Sequence, residues 1–281
     1  VLEVVWTFLL GAAVGSFLNV LTSRYSEKSG FKKALRGRSY CDVCKRTLRW
    51  YELIPVVSFI ALGGRCRTCK HRIPVSYFIV ELLAGLVAVL VPLKIGFTFF
   101  AAIWVFAFWV LLLISVIDLR LKIIPDIPVV LVGTLGLASL VYRSVFLRAD
   151  PFLPLTGADF LGHYSILRFW STPLANHLLA MGAGLVLFGT VFLLTRGRAM
   201  GLGDVKLATA IGLLLMWPDI IVALITPFLI GSLVGSPMVW AKKMSFKSSF
   251  PFGPFIAFGV LLTFFFGYDI VDVYFRLFGL V

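Results

Sequence analysis

The stretch FTFFAAIWVFAFWVLLLISVID, residues 97–118, decides what kind of protein this is. Nothing from Phe97 to Ile117 is charged, and a run of that length is what a helix needs to cross the ~30 Å hydrocarbon core of a bilayer. Asp118 closes the run, in a place where a carboxylate is costly unless it has a task or a partner. Gly201-Leu202-Gly203-Asp204 repeats the arrangement in reverse, an acid at the opening of another apolar run. Taken singly, each aspartate has an ordinary reading. Asp204 could be a helix N-cap, and Asp118, just ahead of Arg120 and Lys122, an interfacial charge. Their joint placement is what has to decide.

The rest of the chain has the same character. Of 281 residues 60% are hydrophobic and only 14% charged, with a mean hydropathy of +1.01. A soluble domain of this length could not bury so much apolar surface, so the composition indicates a polytopic membrane protein. The formal charge of +13 is read first as a topology signal, because Lys and Arg are retained on the cytoplasmic side. Aromatic and basic residues are not interleaved as in base-stacking surfaces, so no nucleic-acid partner is expected.

The first apolar run, Val4 to Leu21, has Glu3 before it and Arg24 after it, the wrong polarity for a cleaved signal peptide. It is read as a transmembrane helix, residues 1–23, with its N-terminus outside. Residues 24–76 are polar and basic, with thirteen Lys and Arg between Arg24 and Arg72, and are placed in the cytoplasm as a small separate domain. Residues 77–281 form the membrane domain. Its spans are Tyr77 to Val91, Phe97 to Ile117, Ile127 to Leu147, Leu174 to Thr195, a short one from Val205 to Met216, Ile220 to Trp240 and Phe255 to Phe275. Residues 148–173 make an extracytoplasmic loop, and Lys242, Lys243 and Lys247 mark a cytoplasmic one. The expected fold is all-α with about eight transmembrane helices. Between Asp118 and Asp204 the chain crosses twice, which puts both carboxylates on the cytoplasmic face. Two carboxylates there suit hydrolysis by a pair that shares one proton.

All four cysteines fall in residues 24–76, as Cys41-x-x-Cys44 and Cys66-x-x-Cys69 with twenty-one residues between the pairs. Paired knuckles at this separation are a strong signal for tetrahedral zinc. Two disulfides are the rival reading, disfavoured in a reducing cytoplasm. Four thiolates leave no open position for water, so a structural metal held by Cys41, Cys44, Cys66 and Cys69 is expected. His71 is read as a surface residue, and Lys45, Arg46, Arg65, Arg67 and Lys70 offset the charge of the thiolates.

These stretches in this order resemble the bifunctional type IV prepilin peptidases, membrane aspartyl proteases with a Gly-x-Gly-Asp motif. The resemblance rests on Gly15-Ser16-Phe17-Leu18-Asn19-Val20, the two cysteine pairs, Tyr51-Glu52-Leu53-Ile54-Pro55 leading to Ser58, and Gly64-Arg65-Cys66. It continues through Tyr77 to Glu81, Ile117-Asp118, Ile124-Pro125-Asp126, the run Gly201 to Leu207, and Pro251-Phe252-Gly253-Pro254. The chain departs from the family's pattern at Asp42, where proline is usual, at Leu53, where asparagine is usual, and at Arg24-Tyr25-Ser26 in place of Arg-Leu-Pro.

The resemblance implies cleavage of prepilin and pseudopilin leaders after a glycine, at the cytoplasmic face of the bacterial inner membrane, followed by methylation of the new N-terminal amine by S-adenosylmethionine. It assigns Asp118 and Asp204 as the catalytic dyad. Asp126, between Pro125 and Pro128, is expected to serve the helix start instead. No residue type announces the methyl-donor site. Glu52 and Glu81 are candidates to orient the amine or the sulfonium, and Glu81 has the alternative of pairing with a basic residue of the cytoplasmic domain. The competing readings are a peptidase without methylation, and a non-enzymatic scaffold or transporter with a zinc domain. Two acids at one membrane edge, without midplane broken-helix acids, favour the enzyme.

Overall fold

The structure is a computed structural model that describes residues 2–27, 30–31, 34–35, 37–146, 172–198, 200–240 and 251–278. The expectations for the loop over 148–173 (save its last two residues) and for Lys242, Lys243 and Lys247 lie outside the described residues. The described chain is helical: α1 (Leu2–Arg24), α2 (Val57–Ala61), α3 (Val75–Ile95), α4 (Phe99–Leu121), α5 (Asp126–Phe146), α6 (Pro173–Thr195), α7 (Leu202–Leu215), α8 (Ile220–Trp240) and α9 (Gly253–Leu277). Among the described residues, seven helices are long and apolar enough to cross a membrane: α1, α3, α4, α5, α6, α8 and α9. The short span expected from Val205 to Met216 is α7, which has 14 residues, about 21 Å at ~1.5 Å per residue, and falls short of a bilayer core.

The chain divides into two compact units, residues 1–113 and 114–281. In the first, α1 lies on α3 through small residues. A Cβ at Gly11 would come within 2.5 Å of Ala88 Cβ, one at Gly15 within 2.7 Å of Glu81 Cα, and one at Gly85 within 2.6 Å of the Phe8 ring. In lipid, where the solvent gives apolar helices no reason to associate, such close backbone approach supplies the packing. Asn19 Nδ2 donates to Tyr77 O across the pair at 2.9 Å.

In the second unit, Gly184 packs on the carbonyl of Ala208 and Gly212 on that of Ala180, so α6 and α7 run antiparallel in close contact. Gly136 of α5 packs on Leu213 in the same way, and Gly259 of α9 on Ala223 of α8. The α6–α7 register sets Leu202 opposite Thr190, well short of the end of α6 at Thr195. The Gly-x-Gly-Asp stretch is therefore recessed, with Asp204 level with Phe188, seven residues or about 10 Å below the C-terminal end of α6.

Candidate active site

Asp118 sits inside the last turn of α4 rather than after it. Thr98 caps the helix start by accepting the Ala101 amide at 3.2 Å, and the helix turns off at Lys122, which has a φ of 56° and donates to Asp118 O. The Asp118 side chain is buried, only 4% exposed, and its Oδ2 accepts the backbone amide of Gly253, the first residue of α9, at 2.7 Å. A Cβ at position 253 would lie 2.9 Å from the same oxygen, so any side chain there would push the carboxylate from its place. Beside it, Phe252, Phe228 and Phe188 form a cluster with ring centroids 5.3 to 6.1 Å apart. This cluster fixes the entry of the chain into α9.

Asp204 is 8% exposed and lies three residues into α7, where its Oδ2 accepts the amide of Gly201 at 2.9 Å. It thus satisfies an orphan amide of its own helix, but from the third helical position and not from the N-cap. The two aspartates are brought close enough to interact electrostatically. Each keeps one oxygen engaged by a glycine amide, which leaves the other for chemistry. Gly203 brings α7 against Ile124, on the connection that follows Asp118: a Cβ there would lie 2.9 Å from Ile124 Cβ. Asp126 stands apart as the first residue of α5, 70% exposed and ion-paired with Lys206 at 2.7 Å.

Sequence reasoning gave Gly253 no role, although it touches one of the two aspartates directly. Its signal, Pro251-Phe252-Gly253-Pro254, was legible as a motif, but its partner Asp118 is 135 residues away.

In the first unit the four cysteines converge. All are free thiols, and their sulfurs lie within 4.8 Å of one another. The Cys41 and Cys69 sulfurs are 3.7 Å apart, close to the ~3.8 Å edge of a tetrahedron with ~2.3 Å zinc–sulfur bonds. The donor set and its spacing fit a zinc ion. The two knuckles are copies of one turn. Cys41 N donates to Arg46 O and Lys45 N to Cys41 O, and likewise Cys66 N to His71 O and Lys70 N to Cys66 O. Lys45 and Lys70 take φ values of 56° and 57° to close them. Both knuckles share the pattern Cys-x-x-Cys-Lys. The amides of Cys69 and Thr68 pull the Cys66 thiol down to about 6. Cys69, despite the His71 amide, is pushed up to about 11 by desolvation and its three neighbouring thiols. The His71 side chain is exposed and outside the cluster.

The two glutamates separate. Glu52 is buried and held below the usual carboxylate range, first by the Arg49 amide at 2.8 Å and then by its ion pair with Arg46. Glu81 reaches out of α3 to accept the Val56 amide at 2.8 Å and bonds Ser16 of α1. Neither partner is basic.

A multi-pass helical protein with two glycine-braced, buried aspartates and a four-thiol module is what the structure defines. Residues 9–95 match the profile described as the bacterial peptidase A24 N-terminal domain, and residues 105–236 that of the type IV leader peptidase family. The chain is 31% identical to a prepilin leader peptidase/N-methyltransferase of Burkholderia pseudomallei, over 95% of this chain and 86% of that one. It is 29% identical to one of Pseudomonas aeruginosa, over 98% and 94%, and 27% identical to one of Bacillus subtilis, over 96% and 97%. No solved structure gives a significant match. The chain belongs to the type IV leader peptidase family.

Proposed function

We propose that this protein removes the leader of prepilins and pseudopilins with the Asp118–Asp204 pair, and methylates the new N-terminus with S-adenosylmethionine as methyl donor. The observation that carries the reading is the meeting of two buried aspartates from α4 and α7, each with one oxygen engaged by a glycine amide. Two buried carboxylates near enough to feel each other's charge favour a state in which one is ionised and the other keeps its proton. The ionised member takes a proton from water as the water oxygen bonds the scissile carbonyl carbon, while the other donates its proton to the carbonyl oxygen. Collapse of the tetrahedral centre breaks the C–N bond as one of its hydroxyls returns a proton to the pair, and the leaving amine takes up a proton from the pair, which ends with one proton as it began. The titration belongs to the pair, so the two roles are not assigned to separate residues.

The recess of Asp204 below the end of α6 suits a substrate whose scissile bond lies at the edge of an apolar helix. In this reading residues 1–23 are the first span, residues 24–76 a cytoplasmic zinc module that serves methylation, and residues 77–281 the peptidase. A zinc ion held by Cys41, Cys44, Cys66 and Cys69 would be structural, tying the knuckles together where a segment this small has little apolar core of its own. Methyl transfer forms a bond from the amine nitrogen to the methyl carbon and breaks the bond from that carbon to sulfur. The sulfur keeps the electron pair, and the amine loses a proton to solvent.

The test is incubation of the detergent-purified protein with a prepilin and labelled S-adenosylmethionine, followed by mass analysis. Loss of the leader and gain of one methyl are expected. An intact leader would overturn the peptidase reading, and a cleaved but unmethylated product the methyltransferase reading.

A further inference from the structure

The most strained backbone position near the cysteine module is Val56. It has φ 63° and ψ −53°, and Val57 N donates back to Pro55 O across it, which makes a γ-turn of the rare positive-φ kind. For a β-branched residue this region is a real outlier, and such strain persists only where the surroundings hold it. The holder is Glu81, whose Oε2 accepts the Val56 amide at 2.8 Å. Glu81 is itself fixed. Its Cα lies against Gly15 of α1, where no side chain would fit, and its carboxylate also bonds Ser16.

The turn sits at a hinge. Before it comes the helical turn Trp50–Leu53, tied through Glu52 to Arg46 beside the first knuckle. After it comes α2, which leads through Gly63 and Gly64 to the second knuckle. Phe59 of α2 stacks on Phe78 of α3 at 5.1 Å, three residues before Glu81 and so on the same side of α3. The backbone angle at Val56 therefore sets how α2 and the second knuckle rest on the α1–α3 pair.

We infer that Glu81 is a positioning residue for methylation, acting as a hydrogen-bond acceptor that locks the Val56 turn and thereby seats the cysteine module on the membrane helices. Its negative charge is not what the reaction uses. The inference rests on the proposed methyltransferase reading, and it differs from a direct role for the carboxylate on the amine or the sulfonium. Glutamine retains an acceptor oxygen and lacks the charge, and leucine has neither. Glycine at position 56 enters the positive-φ region without the steric cost that valine bears.

The experiment compares the full chain with Glu81→Gln, Glu81→Leu and the double variant Glu81→Leu, Val56→Gly, each checked for zinc content. Methylation of pre-cleaved pilin and deuterium exchange of the peptide carrying the Val56 amide are measured on all four. Losing a half-buried acceptor opposite a strained amide should lower methylation by about tenfold or more in Glu81→Leu, while Glu81→Gln stays within about threefold. Leader cleavage and bound zinc should persist in Glu81→Leu, and Val56→Gly should recover most of the lost rate. Exchange at Val56 should be slow in the unmodified chain and in Glu81→Gln, and fast in Glu81→Leu. Loss of methylation in Glu81→Gln equal to that in Glu81→Leu would overturn the inference and assign the role to the charge. Unchanged methylation or unchanged exchange in Glu81→Leu would also overturn it. Should the unmodified chain fail to methylate, the methyltransferase reading falls, while the exchange data still judge the latch.

Discussion

Adding a single methyl group at Gly253 should disable cleavage, while the same change at Gly201 should not. Both glycines donate their amide to an aspartate of the proposed dyad, to Asp118 at 2.7 Å and to Asp204 at 2.9 Å. They differ in clearance. A Cβ at position 253 would lie 2.9 Å from Asp118 Oδ2, with Asp118 Cβ at 3.3 Å and Cγ at 3.4 Å behind it, so the carboxylate cannot simply rotate away. A Cβ at position 201 would meet Asp204 Oδ2 at 3.7 Å, an ordinary contact, on a backbone whose φ of −86° alanine adopts freely. Displacing a catalytic oxygen by ~1 Å costs about 100-fold in rate, or about 2.7 kcal/mol of transition-state stabilisation. Gly253→Ala should therefore lower kcat for prepilin cleavage by about that factor with KM little changed, because the interaction lost is made in the transition state. Gly201→Ala should stay within about threefold, as no oxygen is forced to move. Steady-state cleavage in detergent, with circular dichroism to verify folding, reads both. Full kcat in Gly253→Ala, or an equal loss in Gly201→Ala, would refute the reasoning.

Asp118→Asn and Asp204→Asn should each abolish leader removal without unfolding the protein, since a shared-proton pair needs both members and neutral side chains are easily carried in a membrane. Asp126→Asn should be mild, because its ion pair with Lys206 is exposed and such pairs contribute about 0–1 kcal/mol; inactive Asp126→Asn beside active Asp118→Asn would reverse the assignment. Elemental analysis should find one zinc per chain, released by Cys41→Ser or Cys66→Ser; a metal-free preparation with the module ordered would count against the site. The Cys44→Ser, Cys69→Ser double variant should lose methylation before cleavage, and an unmodified methylation rate on pre-cleaved pilin would place the methyl-donor site elsewhere.

Much of this architecture is legible in the chain because its determinants are local. Runs such as Phe97 to Ile117 declare helices through their own apolar content, and Cys-x-x-Cys places two thiols on one tight turn wherever it occurs. The same local logic puts Asp118 and Asp204 at the ends of apolar runs, and it is from the parity of the crossings that one face is expected for both. What the tertiary structure alone decided are pairings between distant groups. Asp118 rests on an amide 135 residues away, and Glu81 holds a strained Val56 where a basic partner was the expected alternative. Val205 to Met216, read as a short span, belongs to a helix, Leu202–Leu215, that starts below the end of α6 because glycines at 184 and 212 set the α6–α7 register. Hydropathy and spacing specify which segments are helical and apolar enough to enter a membrane. Which amide meets which carboxylate depends on how the helices pack, to within less than an ångström, and no pattern within one segment encodes that.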